Sequence, residues 1–239
     1  MAISPILILL QKGSRTMSDV AALFDMDHTL IWKNSGLTSV QFARKQGMIP
    51  LGFLIKGIIK IFLYRLSLMN IERWYERNME VLAGLTLNDM DRFSGQWFET
   101  MVRQAIYQEA VQLIKDHEKR GHRIAIISNS PSFFVKPLAE ELGIMDIICT
   151  QVEIIDDVLT GKLIKPLCYG KGKKEYAIKW AYDNGIDLLQ SYFYTDSYFD
   201  IDLMHAVGFP VATNPDHKMR KAARQNNWQI LTFKKEAAF

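Results

Sequence analysis

Asp25 and Asp27 stand two residues apart in Phe24-Asp25-Met26-Asp27-His28-Thr29-Leu30. In an extended segment this spacing puts both carboxylates on one side. Two anions so close repel unless a cation or a shared proton sits between them, and a hard Mg²⁺ takes carboxylate and backbone oxygens. Ile127-Ser128-Asn129-Ser130-Pro131 offers a hydroxyl and backbone N–H groups ahead of a helix start, which can hold a phosphate oxygen. Cys168-Tyr169-Gly170-Lys171-Gly172-Lys173-Lys174 opens another helix, and a lysine there could neutralise a bound phosphoryl group. Asp196 and Asp200 lie on either side of a strand-to-helix turn. Asp196 could ligate a metal, and Asp200 could orient the lysine or a metal-bound water.

Each segment taken alone also reads as ordinary structure: an Asp-rich turn, a helix cap, a solvated basic face, an acidic helix N-terminus favoured by the helix dipole. Ser130 is expected to act only as a cap. The Gly170-x-Gly172 pattern lacks a preceding apolar strand and the full dinucleotide spacing, which excludes a Rossmann cofactor site.

The elements that must carry these groups are legible as patterns. Apolar runs at 20–25, 123–128 and 192–196 end on Asp25, Ser128 and Asp196, and similar runs occur at 146–150 and 209–213. Such runs read as buried parallel strands. Helical patterns lie between them at 107–119, 131–142, 173–184 and 216–226, the second with Ser130 at its N-cap, Pro131 at N1 and Gly143 as its stop. Alternating strands and helices predict a doubly wound α/β sheet, whose ligands bind beyond the carboxyl ends of the strands. If the three strands are neighbours, their terminal side chains converge. Residues 152–163 alternate on both sides of Asp156-Asp157 and predict a β-hairpin, and 37–100 are helical in period, as a cap over the sheet would be.

Asp-x-Asp-x-Thr, then a serine after an apolar strand, then a lysine, then Asp-x-x-x-Asp after an apolar strand: this order resembles the haloacid dehalogenase (HAD) superfamily of phosphotransferases. The helical insertion is similar to that superfamily's C1 cap. The hairpin, the Cys168–Lys173 turn and Val211-Ala212-Thr213-Asn214-Pro215-Asp216 resemble subfamily IB, the phosphoserine-phosphatase-like hydrolases. The resemblance spans 19–232. It implies an α/β fold, a doubly wound HAD-type Rossmann-like parallel sheet with an inserted all-helical C1 cap and a small β-hairpin. The core is then 17–36 with 101–239, the cap 37–100, and 1–16 a flexible tail.

The implied activity is an Mg²⁺-dependent phosphomonoesterase working through an aspartyl phosphate on a small phosphorylated metabolite or a phospholipid-derived phosphate. Asp25 is then the nucleophile and Asp27 the general acid and later base. Asp25, the backbone carbonyl of Asp27, and Asp196 ligate Mg²⁺. Ser128 and Asn129 bind the phosphoryl oxygens, Lys173 neutralises them, Asp200 supports Lys173 or the metal, and Thr29 ties the loop. Lys171 and Lys174 compete for the role of Lys173, which the family's Gly-x-Gly-Lys spacing favours. Characterised phosphoserine phosphatases carry Gly-Gly after the motif serine, where this chain has Asn129-Ser130-Pro131. Phosphoserine phosphatase and transfer to an acceptor other than water are therefore alternatives. A non-catalytic binding module is disfavoured because no motif acid is missing.

With 49% hydrophobic and 23% charged residues the chain is globular in composition, and a net charge of +3 without a clustered patch argues against nucleic acid. Two cysteines, Cys149 and Cys168, form no disulfide framework and suit a reduced, cytoplasmic protein. The apolar run at 3–10 is too short to span a bilayer. Residues 51–68 are apolar but interrupted by Lys56, Lys60 and Arg65, which makes a poor membrane span and leaves cap packing, a homodimer contact and peripheral membrane contact open. In the cap, Glu72, Arg73, Arg77 and Glu80 are candidates to read the leaving group.

Overall fold

The computed structural model describes residues 19–48, 75, 77 and 79–236. Among them seven strands form one sheet: β1 (Ala21–Phe24), β2 (Arg123–Pro131), β3 (Asp146–Ile155), β4 (Val158–Ile164), β5 (Tyr192–Thr195), β6 (Phe209–Thr213) and β7 (Gln229–Leu231). Their order is β4-β3-β2-β1-β5-β6-β7, and every neighbouring pair is parallel except β3 with β4. The α-helices are α1 (Ser35–Lys45), α2 (Leu87–Trp97), α3 (Gln108–Lys119), α4 (Ser132–Leu142), α5 (Lys171–Asn184), α6 (Ile201–Met204) and α7 (His217–Gln225).

All four residues of β1 are buried, because the sheet is covered on both faces. Ala22, Phe24, Ile124 and Ile126 pack with Ile114 of α3 and Val135 and Leu138 of α4. Leu23, Ala125 and Ile127 point the other way, onto Ala177 of α5 and Met219 and Ala223 of α7. The order of the sheet reverses at β1, which lies between β2 and β5. The carboxyl ends of these three strands therefore flank a crevice at the switch point, where an α/β sheet binds its ligands.

Several expected boundaries shift. β2 runs on through Pro131, which itself occupies the N-cap of α4, and the helix begins at Ser132 without a side-chain cap. Ser130 is therefore not the cap and Pro131 is not N1. The cause is a break in register: Ser128 pairs with Cys149 but Pro131 with Thr150, so Asn129 and Ser130 bulge from the ladder. The expected strand at 146–150 and the first arm of the hairpin are one continuous strand, β3. Its turn places Asp156 and Asp157 at φ 50° and 62°, the left-handed pair that a two-residue hairpin favours. The short strand β7 has no counterpart among the predicted elements.

Where the expected cap region is described, its helical pattern breaks at Gly84–Thr86, as expected from the sequence. α1 begins at Ser35, two residues before 37, and Thr86 bridges to Val158 before capping α2 through a reciprocal bond with Asp89. The tail 1–16, the stretch 51–68, Glu72 and Arg73 lie outside the described residues. Arg77 and Glu80 are exposed. Among the described residues no helix is long and apolar enough to cross a membrane. Cys149 and Cys168 are free and buried.

Behind β1 sits an ionisable group that folding keeps neutral. His117 on α3 is buried, with Nε2 2.8 Å from the Tyr194 hydroxyl and Nδ1 2.8 Å from Nδ1 of His122. Burial, and secondarily the charge of His122, holds its pKa down to about 4, against 6.5 for a free imidazole. Between these values the unfolded chain binds a proton that the folded chain does not, so this group lowers stability as pH falls through that window. Thermal melting should therefore decline more steeply with acidification in the wild type than in His117→Gln. Parallel slopes from pH 6.5 to 4 would remove His117 as a source of acid lability.

Candidate active site

Asp25 follows β1 directly, and its N–H donates to the carbonyl of Tyr194 on β5 at 2.9 Å, which continues the sheet by one rung. The chain then turns. Leu30 and Ile31 both donate to the carbonyl of Met26, and His28 takes a left-handed conformation at φ 58°. Asn214, just past β6, clamps this turn by donating from Nδ2 to the His28 carbonyl at 3.0 Å, while its Oδ1 accepts from the Phe233 N–H at 2.8 Å. Thr29, expected to tie the loop, is buried, and among the described residues its hydroxyl has no hydrogen-bond partner, so the backbone bonds and Asn214 hold the loop.

Lys173 reaches Asp25 from the first turn of α5, the helix onto which Leu23 also packs. Its Nζ lies 2.7 Å from Asp25 Oδ1 and 2.8 Å from Asp200 Oδ2, and Asp200 Oδ2 also accepts from the Thr195 hydroxyl at 2.7 Å. The two glycines before it explain the register. Gly170 has φ 54°, and a Cβ on Gly172 would strike the Leu167 carbonyl oxygen, so the first turn of α5 can lie against the 167–169 loop only with glycine there. Lys173 is 3% exposed, whereas Lys171 is on the surface and Lys174 is partly exposed.

Asp27 turns toward the segment that leads into α1. Its Oδ1 accepts from the Ser35 N–H at 2.9 Å, and its Oδ2 accepts from Asn34 Nδ2 at 2.9 Å and from the Ser35 hydroxyl at 3.0 Å. The Ser35 hydroxyl is also 3.0 Å from that of Ser130, in the β2 bulge. Ser128 Oγ accepts from the Ser130 N–H at 3.2 Å, which leaves its own proton free to donate. Asn129 Oδ1 accepts from Thr150, and its backbone carbonyl accepts from the Tyr75 hydroxyl at 2.9 Å.

Asp25, Asp27, Ser128, Asn129, Lys173, Asp196 and Asp200 all line one cavity. Burial pushes the Asp25 carboxyl up to about 6 against the opposing pull of Lys173. Burial and the charge of Asp25 push Asp27 up to about 7. Asp196 is raised well above the usual carboxylate range by burial, then by Asp25 and Asp200. Burial alone would discharge Lys173, but Asp200 and Asp25 outweigh it and hold the ammonium charged. The site thus carries excess negative charge, which a hard divalent cation would relieve. Among the described residues no three acidic, histidine or cysteine side chains form a metal-binding group. Asp25 and Asp196 both line the cavity and could offer carboxylate oxygens to such a cation, which would keep several of its waters.

Asn34, Ser35, Ser130, Thr195 and Asn214 were not singled out by the sequence as parts of this site. An Asn-Ser pair immediately ahead of a helical run is a cap signal that could have found the first two.

The model of the haloacid dehalogenase-like hydrolase family matches residues 22–205. A protein named histidinol-phosphatase from Neisseria meningitidis is 29% identical over 89% of this chain and 98% of its own length. A phosphoserine phosphatase from Mycobacterium tuberculosis is 26% identical over 90% of this chain and 71% of its own. Among solved structures, a Bordetella pertussis protein of unknown function superposes with a TM-score of 0.82 at 26% identity, covering 90% of this chain and 98% of its own. A phosphoserine phosphatase holding a phospho-aspartyl intermediate analogue shares the fold, with a TM-score of 0.66 at 20% identity over 91% and 95% of the two chains.

Proposed function

Because the chain belongs to the haloacid dehalogenase-like hydrolase family, we propose that it hydrolyses phosphate monoesters through an aspartyl phosphate formed on Asp25. The observation that carries this reading is the buried bridge from Lys173 Nζ to Asp25 and Asp200. It fixes one oxygen of a carboxylate that lines the cavity and sets a cation beside it.

In the first step a carboxylate oxygen of Asp25 forms a bond to phosphorus as the bond to the leaving oxygen breaks. That oxygen keeps the electron pair and takes a proton from Asp27. In the second, water attacks phosphorus, gives its proton to Asp27, and the acyl-phosphate bond breaks to restore the Asp25 carboxylate. Ser128 and Asn129 hold the phosphoryl oxygens, and Lys173 neutralises their charge. An elevated pKa suits Asp27, which must carry a proton near neutrality to serve as an acid.

Mg²⁺ would be held by Asp25, Asp196 and the Asp27 carbonyl, and when bound it supplies further neutralisation of the phosphoryl charge. Residues 37–100 serve as the cap, a reading supported by the bond from Tyr75 to the Asn129 carbonyl, which brings one of these side chains to the site. The substrate is a small phosphorylated metabolite or a phospholipid-derived phosphate. The bulged Asn129-Ser130-Pro131 favours a substrate other than phosphoserine.

The test is hydrolysis of p-nitrophenyl phosphate by the purified full chain. Turnover should stop in EDTA and return with added Mg²⁺. Asp196→Ala should raise the Mg²⁺ concentration needed for half-maximal rate more than Ser128→Ala does. Absence of turnover in saturating Mg²⁺, or turnover indifferent to EDTA, would overturn the proposal.

A further inference from the structure

Three donors meet the two oxygens of Asp27, and they are not chemically alike. The Ser35 N–H and the Asn34 amide can only donate, so they favour the ionised carboxylate. The Ser35 hydroxyl can donate or accept, and it has a second partner in the Ser130 hydroxyl 3.0 Å away. The Ser35 oxygen lies 3.0 Å from Asp27 Oδ2 and 3.0 Å from the Ser130 hydroxyl, so it links the carboxyl group to the β2 bulge. With the Ser35 N–H on Oδ1 and the Asn34 amide on Oδ2, this link fixes both oxygens of the carboxyl group.

We propose that Ser35, paired with Ser130, is a positioning residue that sets the orientation of the Asp27 carboxyl group in the cavity. The inference rests on the acid–base role given to Asp27 above. Both hydroxyls sit on elements that the fold fixes independently. Ser35 is the buried first residue of α1, and Ser130 projects from the β2 bulge, 95 residues away in sequence. The contact joins the start of the segment leading into the cap region to the wall that carries Ser128. A cap role for Ser130 would have turned its hydroxyl toward α4, and the structure shows no such bond.

A leaving-group series separates this role from plain packing. Nitrophenolate departs near neutrality without a proton, whereas phenolate needs one. The value of kcat/KM reports the path up to phosphoryl transfer, so it isolates the acid role of Asp27 from its later base role. In Ser35→Ala, kcat/KM for phenyl phosphate should fall roughly ten- to a hundredfold, within the range of general acid catalysis. For p-nitrophenyl phosphate the loss should be several times smaller. Ser35→Thr keeps the hydroxyl and should restore the wild-type ratio of the two substrates. Ser130→Ala, which leaves α1 untouched, should shift the ratio in the same direction and serves if Ser35→Ala melts early. Equal losses for both substrates in the two alanine variants would make the pair structural only and overturn the proposal, as would no loss. Asp25→Asn is the control for the underlying reaction: if it keeps turnover, the phosphatase mechanism fails, whatever the Ser35 ratio shows.

Discussion

Asp25→Asn should lose on the order of 10⁴-fold or more in kcat while melting at the wild-type temperature or above, as expected when an activated nucleophile is removed. The carboxamide cannot form an acyl phosphate, because its nitrogen and carbonyl oxygen are poor nucleophiles and no anion is present. The fold has little reason to suffer. The amide oxygen can still accept from Lys173 Nζ, now 2.7 Å from Asp25 Oδ1, and the backbone bond from Asp25 to Tyr194 remains. Removing one of several mutually repelling acids also relieves Asp27 and Asp196, both of which the charge of Asp25 drives up. Activity is measured on p-nitrophenyl phosphate with intact-mass control for deamidation. A residual rate within about tenfold of wild type would remove Asp25 from the reaction path.

Lys173→Ala is expected to damage both rate and stability. The side chain is 3% exposed and bridges two buried carboxylates. Breaking a buried pair by removing one partner typically costs about 3–5 kcal/mol, because a charge stays behind unpaired. Burial lowers the pKa of Lys173, and Asp200 and then Asp25 more than reverse this, so the folded value lies above the unfolded 10.5. Stability from such a group is fully present below the unfolded pKa, so the loss should appear at every pH from 6 to 9. The rate should fall by about 10²–10³, the usual cost of one preorganised electrostatic group. Without the ammonium the Asp25 carboxyl rises further, and at neutral pH less of it is ionised to attack. Lys171→Ala and Lys174→Ala, whose side chains stand on the surface or near it, should change kcat less than about threefold and leave melting nearly unchanged. Were Lys171→Ala the damaging variant, the structural register at 170–174 would be wrong by two residues.

The acids and the lysine were legible because their spacing is local. Asp25 and Asp196 each close a short apolar run, so reading the strand placed the carboxylate at its end. The two glycines were read as a departure from a dinucleotide fingerprint, and the structure gives their purpose: one supplies a positive φ and the other a close approach to Leu167. What stayed hidden depends on contacts distant in sequence. The bulge at Asn129-Ser130 arises from how β2 registers against β3, which no pattern within 123–131 encodes. With the bulge unseen, Ser130 looked like a cap, since Ser before Pro at a helix start usually is one. Asn34 and Ser35 were missed because an apolar pattern does not mark them: the buried residues of α1 are Ser35, Thr38, Ser39 and Phe42, and only the last is apolar. Thr29 shows the reverse error. A hydroxyl inside a motif suggests a hydrogen bond, yet here Asn214, at the carboxyl end of β6 two strands away, holds the loop.

The most direct test of the central claim uses Asp27→Asn with p-nitrophenyl phosphate and Mg²⁺. The activated leaving group departs without an acid, while hydrolysis of the covalent intermediate loses its base, so the phosphorylated enzyme should accumulate. Acid quenching followed by peptide mapping locates the phosphoryl group. Near-stoichiometric label on Asp25, with a matching burst of nitrophenol, is the predicted result. Label on another residue, or nitrophenol release with neither burst nor label, would contradict an aspartyl phosphate at Asp25.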